Sequence, residues 1–213
     1  MANSSPAFTK ILCIGCSVWM AAAMADANAF DKTAVALARL ESKTSMVLEC
    51  EGCDFSDADL PRIRMIEARL AGANFEGANL RGVSLQNADL TEARLDDADL
   101  AGSFFYRASF SNATLVAVDL TYAKLTQSSF SGADLSRANL TRVRLSETDL
   151  SNAILKDANL TGAVLRKANF EKSDLSGANL TDAKLDDTSL ADATLCQTIL
   201  PDGAVSDRDC PTN

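Results

Sequence analysis

From Phe55 to Leu200 every fifth residue is Leu or Phe, and Met65 is the single departure among thirty positions. Two residues before each of these centres stands a small residue, usually Ala, as at Ala58, Ala68, Ala73, Ala78 and Ala88. The exceptions are Cys, Ser, Thr, Val or Ile, as at Ile63 and Val143. An α-helix does not fit, because a period of about 3.6 would spread the Leu column around the cylinder. Strand-like alternation over three residues does fit. The centre and the residue two before it point inward, and the residue between them points outward. The two residues after each centre are mostly Ser, Thr, Gly, Asp, Asn or charged, which suits a bend. Each pentapeptide is therefore one short side plus one corner, wound round an inner stack of Leu, Phe and Ala.

A second period sets how many sides close a lap. Phe55 and Phe75 are 20 residues apart, as are Phe110 and Phe130. Thr follows the centre at Thr121, Thr141, Thr161 and Thr181. Asp or Asn precedes it at Asp59, Asn79, Asp99, Asp119, Asn139, Asn159 and Asn179 without a gap. A spacing of about 15 scatters all of these, so four pentapeptides make one coil and like residues stack between coils. At roughly 4.8 Å per coil, the thirty repeats predict an all-β solenoid of square section, about 36 Å long. Its handedness does not follow from the pattern.

The first thirty residues carry a different pattern. Lys10 precedes the apolar run ILCIGCSVWMAAAM, and small residues follow as AMADANA. This is the layout of a secretory signal peptide over residues 1–29, with cleavage after Ala25, Ala27 or Ala29. The run is short for a spanning helix, which needs about 20 residues. An uncleaved anchor and a lipoprotein site at Cys16 are the weaker alternatives. Cleavage after Ala29 removes Cys13 and Cys16 and leaves Cys50, Cys53, Cys196 and Cys210, an even count that points to disulfides in an exported chain. Residues 31–44, DKTAVALARLESKT, show helical spacing and predict a short helix with Asp31 at its N-cap, within an N-terminal cap over residues 30–52. Pro201, Gly203 and Pro211 end the repeat and predict an irregular tail over residues 201–213.

The chain is acidic, with 29 Asp and Glu against 20 Lys and Arg, a net charge of −9. Non-specific DNA binding by phosphate neutralisation is disfavoured at that charge. The 213 residues include no His, which removes Ser-His-Asp triads, Cys-His dyads and His-ligated metals together. The remaining residues show no set of nucleophile, base and oxyanion donors, so no enzyme, cofactor or metal is expected.

The repeat, as in ADLSRANL and ANLTDAKL, resembles that of the pentapeptide-repeat proteins over residues 53–200. The resemblance implies a right-handed quadrilateral β-helix. The entry CEGCDFSDADL and the exit TLCQTILPDGAVSDRDC resemble the ends of exported members. The cytosolic members that protect DNA gyrase mimic B-DNA with an acidic, dimeric rod, which makes DNA mimicry a second reading. About seven coils, roughly 34 Å, separate Cys53 from Cys196, so the expected pairs are Cys50–Cys53 and Cys196–Cys210. The CEGC motif also permits a thioredoxin-like thiol role, which requires a helix N-terminus. A structural disulfide or two cap thiols at the entry to the β-coil is the plainer reading.

The four sides are labelled by their first centres: one from Phe55, two from Leu60, three from Met65 and four from Leu70. Outward positions on side one hold eight acids against three bases, net −5; side three holds seven bases against four acids, net +3. In a square these sides are opposite. Side three also presents Phe104 and Tyr106 beside Arg107, Lys124 and Arg144, which is the composition of a partner-binding surface. The Asp/Asn column on side two suggests a cation track, but such residues ordinarily bond their own backbone near turns.

An exported, non-enzymatic interaction or structural module is therefore expected, with a protein partner, no nucleic acid and no membrane span after cleavage. Monomer and homodimer both fit, as do periplasm, extracellular space and thylakoid lumen. The DNA-mimic reading conflicts with the export segment and with basic side three.

Overall fold

The computed structural model describes residues 47–212. They wind into a right-handed quadrilateral β-helix, in which every isolated parallel pair joins residues 20 apart, from Glu49–Arg69 to Asn179–Ile199. The N-terminal helix expected over residues 31–44 and the export segment lie outside the described residues.

One pentapeptide shows why the sequence takes this path. Within residues 139–143, Asn139 N donates back to Val118 O at 2.9 Å, and Leu140 N donates forward to Asn159 O at 2.7 Å. At the corner, Arg142 N donates to Thr161 O at 2.9 Å, and Val143 N closes the turn on Leu140 O at 3.2 Å. That leaves the Thr141 N–H, which donates to Asn139 Oδ1 at 3.2 Å. All five N–H groups are satisfied, and the Asp/Asn before the centre takes the one the ladder cannot reach. The same bond recurs from Ser56 to Asp54, Ala101 to Asp99 and Thr121 to Asp119. The column on side two is thus structural.

The interior follows the 20-residue lap. Leu120, Leu140 and Leu160 are buried in one pile. Phe55 stacks on Phe75 at 4.8 Å between ring centres and Phe110 on Phe130 at 4.6 Å, one coil spacing in each case. Where a hydroxyl replaces the inward Ala, it donates to a centre's carbonyl: Ser103 to Leu80 O at 2.9 Å, Thr148 to Leu125 O at 2.8 Å. Every buried side-chain N and O among the described residues has a partner.

The corners carry a steric rule. From Phe55 to Leu185, and again after Leu195, the second residue after the centre holds a positive φ, near +57° at Ala117 and Asn152, and the first does not, as in a type II turn. Pro61 and Pro201 occupy the first corner position, where their fixed φ suits the turn. No Val, Ile, Thr or Pro stands at the second position in any of the thirty corners, because the left-handed region crowds a branched Cβ and lies outside proline's fixed φ. Ala117 has no side-chain bond to offset this cost. Ala117→Gly is therefore expected to raise stability by about 0.5–1 kcal/mol and Ala117→Val to lower it by at least that much, read from thermal melting.

Both ends differ from expectation. The ladder starts one pentapeptide before residue 53: Glu49 pairs with Arg69, and Cys50 is a buried centre 3% exposed. A Cys in place of Leu hides that first repeat. At the other end the pattern continues through Leu185 and Leu190, but the coil does not stay flat. The pair expected between Asn169 and Ser189 is lost, Lys172 N reaches Asp192 O instead of the residue before it, and Leu190 is only half-buried. The last coil has no further coil to hold it.

The tail is not irregular throughout. Strand β1, Thr198–Ile199, pairs antiparallel with β2, Val205–Ser206. Beyond it, three charged side chains replace the missing coil on side one. Asp209 Oδ2 accepts from Leu195 N at 2.8 Å and Asp207 Oδ1 from Gln197 N at 3.2 Å, the donors that elsewhere reach the next coil. The Arg208 guanidinium donates to Ala193 O, the carbonyl a further coil would have used. The Leu195 N–H, followed by Arg208, holds the Asp209 carboxyl below its ordinary value.

Candidate functional site

Side three is a ladder whose outward column runs Ser84, Phe104, Lys124, Arg144, Val164 and Lys184, each paired with the next. Because neighbours in that column are one coil apart, side chains distant in sequence touch. Lys124 Nζ lies 4.7 Å from the centre of the Phe104 ring. At the corner toward side four, Arg107 lies 4.9 Å from the centre of the Tyr106 ring. Both rings are 38% exposed, against complete burial of the inward Phe105 between them. The predicted cluster of Phe104, Tyr106, Arg107, Lys124 and Arg144 thus lies within three consecutive coils, and all five side chains are exposed.

Two residues were not among those expected. Tyr122, 56% exposed, occupies the corner between sides two and three. One coil on, Arg142 lies 5.9 Å from its ring centre and donates from Nη1 to the Tyr122 hydroxyl at 3.1 Å. Both stand at the corner that follows a side-two centre, outside side three's own run of residues. The signal was the 20-residue spacing of an aromatic and an Arg at the same corner position.

The charges around the cluster are unevenly matched. None of Arg107, Lys124, Arg142 or Arg144 forms an ion pair among the described residues. The nearby Glu147 is taken: it accepts from Gln127 Nε2 at 2.8 Å and pairs with Arg166 at 3.4 Å. The Gln127 amide, then Arg166 and Lys167, hold its carboxyl below the usual range. Gln127 in turn accepts from Arg107 Nε at 3.0 Å, which fixes that guanidinium beside Tyr106. On opposite side one, Glu76 pairs with Arg94 and Asp174 with Lys156.

Cys50 is bonded to Cys53 and Cys196 to Cys210. The first bond spans the Glu51–Gly52 corner, with both Cys buried at the start of the inner stack. Residues 47–53 contain no helix, so the helix N-terminus that a thioredoxin-like thiol needs is not there. No group of His, Cys, Asp or Glu among the described residues is arranged to hold a metal ion. No described helix is long and apolar enough to cross a membrane.

Known proteins share this architecture. QnrB1, a plasmid-mediated fluoroquinolone resistance protein solved as a trypsin-treated variant, superposes with a TM-score of 0.65. It is 17% identical, over 79% of this chain and 90% of that one. HetL, a pentapeptide-repeat protein involved in heterocyst differentiation regulation in the cyanobacterium Nostoc sp. strain PCC 7120, is 26% identical. That match covers 80% of this chain and 98% of HetL, with a TM-score of 0.35. No curated protein matches the chain. The family model for pentapeptide repeats matches residues 49–87, 88–127, 119–157, 144–182, 153–192 and 165–202. This chain belongs to the pentapeptide-repeat family.

Proposed function

We propose that this chain is an exported, non-enzymatic module that engages a protein partner through side three of its coil. The aromatic–cation cluster carries the reading. The interior is given over to packing, so coil-to-coil differences in chemistry are confined to the outer faces. On those faces both Tyr residues meet Arg107, Arg142 and Arg144 at one place, and Tyr and Arg are the residues that dominate protein–protein hot spots. The hydrogen-bonded ladder beneath holds them in fixed register, which lowers the ordering cost of binding. Two disulfides and the N-terminal signal-like segment support export. Likeness to QnrB1 extends to the fold and not to its role in resistance.

The test is cross-linking with mass spectrometry on the exported fraction, with Lys124 and Lys184 as reporters. Links to a single protein are expected, concentrated on Lys124. Phe104→Ser with Tyr106→Ser is expected to weaken binding of that protein at least tenfold, about 1.4 kcal/mol, with the melting transition unchanged. Binding unaltered by the double substitution removes side three from the mechanism.

A further inference from the structure

Resting on that reading of side three, we infer that the partner presents a short acidic segment, in which clustered carboxylates flank an apolar side chain. Charge points there first. Arg107, Lys124, Arg142 and Arg144 form a positive island on a chain of net charge −9, and none has an ion pair among the described residues. A partner carboxylate supplies what this chain withholds, and complementary charge accelerates and orients docking.

Shape narrows the choice. Phe104, Tyr106 and Tyr122 each have a cation against the ring, so apolar surface and charge are offered together. A segment with carboxylates alone leaves the rings wet, and an apolar segment alone leaves the cations unmatched.

Extent limits the length of the occupant. The island spans three coils, on the order of 10–15 Å. Side three also carries Arg64 and Glu67 at one end and Arg166, Lys167, Lys184, Asp186 and Asp187 at the other, and Glu147 stands on the island's own last coil. A long polyanionic glycan or an anionic bilayer laid along this side meets Glu67, Glu147, Asp186 and Asp187 as well as the bases. A short peptide segment can cover the island and leave Glu67, Asp186 and Asp187 uncovered.

Fluorescence anisotropy of the intact exported protein decides the matter. The probes are a labelled dodecapeptide of Asp and Glu around a central Phe, and its Asn/Gln counterpart. The acidic peptide is expected to bind, and to weaken at least tenfold between about 50 and 300 mM NaCl, since exposed charges are screened over that range. Lys124→Glu with Arg144→Glu is expected to weaken it at least tenfold, and Lys184→Glu, outside the island, less than twofold. Equal binding of the amide counterpart overturns the inference. So does binding of heparin, or of phosphatidylcholine vesicles holding one-third phosphatidylserine, where the acidic peptide fails. Reversible self-association in sedimentation velocity that the double charge reversal abolishes also overturns it, by replacing the foreign segment with acidic side one of a second copy. If the peptide fails but the cross-linked partner still depends on Phe104 and Tyr106, side three remains the interface and only its acidic specificity falls. If neither holds, the proposed function falls with it.

Discussion

Replacing Leu140 with Asp is expected to break the solenoid at its middle, at a cost above about 5 kcal/mol. Leu140 is 1% exposed, between Leu120 on the coil before and Leu160 on the coil after. Shortening a buried Leu alone costs about 2–5 kcal/mol through lost burial and the cavity left behind. Asp adds a charge that finds no donor in that pile, since every nearby N–H is already committed to the ladder or a turn. In a stacked fold each coil contacts only its neighbours, so the damage begins locally and separates the coils on either side. Circular dichroism should show early melting of a large fraction of the β signal, and hydrogen exchange should lose protection first at Leu120 N and Asn159 N. Leu140→Met, which keeps the volume, is expected to cost less than about 1.5 kcal/mol. An Asp variant that melts within a few degrees of the parent would mean that the side chain does not point inward.

Leu140 also marks what the sequence reveals most readily. A centre every fifth residue, combined with like residues every twentieth, leaves one closed section of four sides, and stacked Phe55–Phe75 and Phe110–Phe130 rings follow from it. The sharing of a face by Phe104, Lys124 and Arg144 follows equally, because register is periodic once the lap is known. The ends were less legible for a physical reason: periodicity reports neighbours, and an end lacks one. Cys50 fills a Leu position with a small residue, because its sulfur is bonded to Cys53 at the first corner. Leu185 and Leu190 keep the period while their coil buckles, since no further ladder flattens it. The tail's strands of two residues are too short to show any alternation, and the work of Asp207, Arg208 and Asp209 depends on a fold-back that no local pattern encodes. Tyr122 and Arg142 were legible in principle. Corner residues project toward both adjoining sides, and only their contacts in the folded chain decide which face they serve.

Removing the Cys196–Cys210 bond, as Cys196→Ser with Cys210→Ser, is expected to cost about 3 kcal/mol in the loop-closure description, for a separation of 14 residues. The loss should be felt at one end. The bond holds the tail over the open edge of side one, where Asp207, Asp209 and Arg208 satisfy Leu195 N, Gln197 N and Ala193 O. With the bond gone, keeping those three side chains in place requires ordering the tail from a free state, and water competes for each exposed group. Hydrogen exchange should therefore speed first at Leu195 and Gln197, while Leu120 and Leu140 keep their protection. Opening Cys50–Cys53, as Cys50→Ala with Cys53→Ala, releases a loop of only a few residues and is expected to cost about 2 kcal/mol, at the opposite end. Exchange that quickened uniformly along the coil in the first variant would show that the clasp acts on global stability and not on the edge it covers. A local effect would extend to the terminus the rule that governs Leu140: in this chain each coil is stabilised by the one above it, and the clasp is what stands above the last.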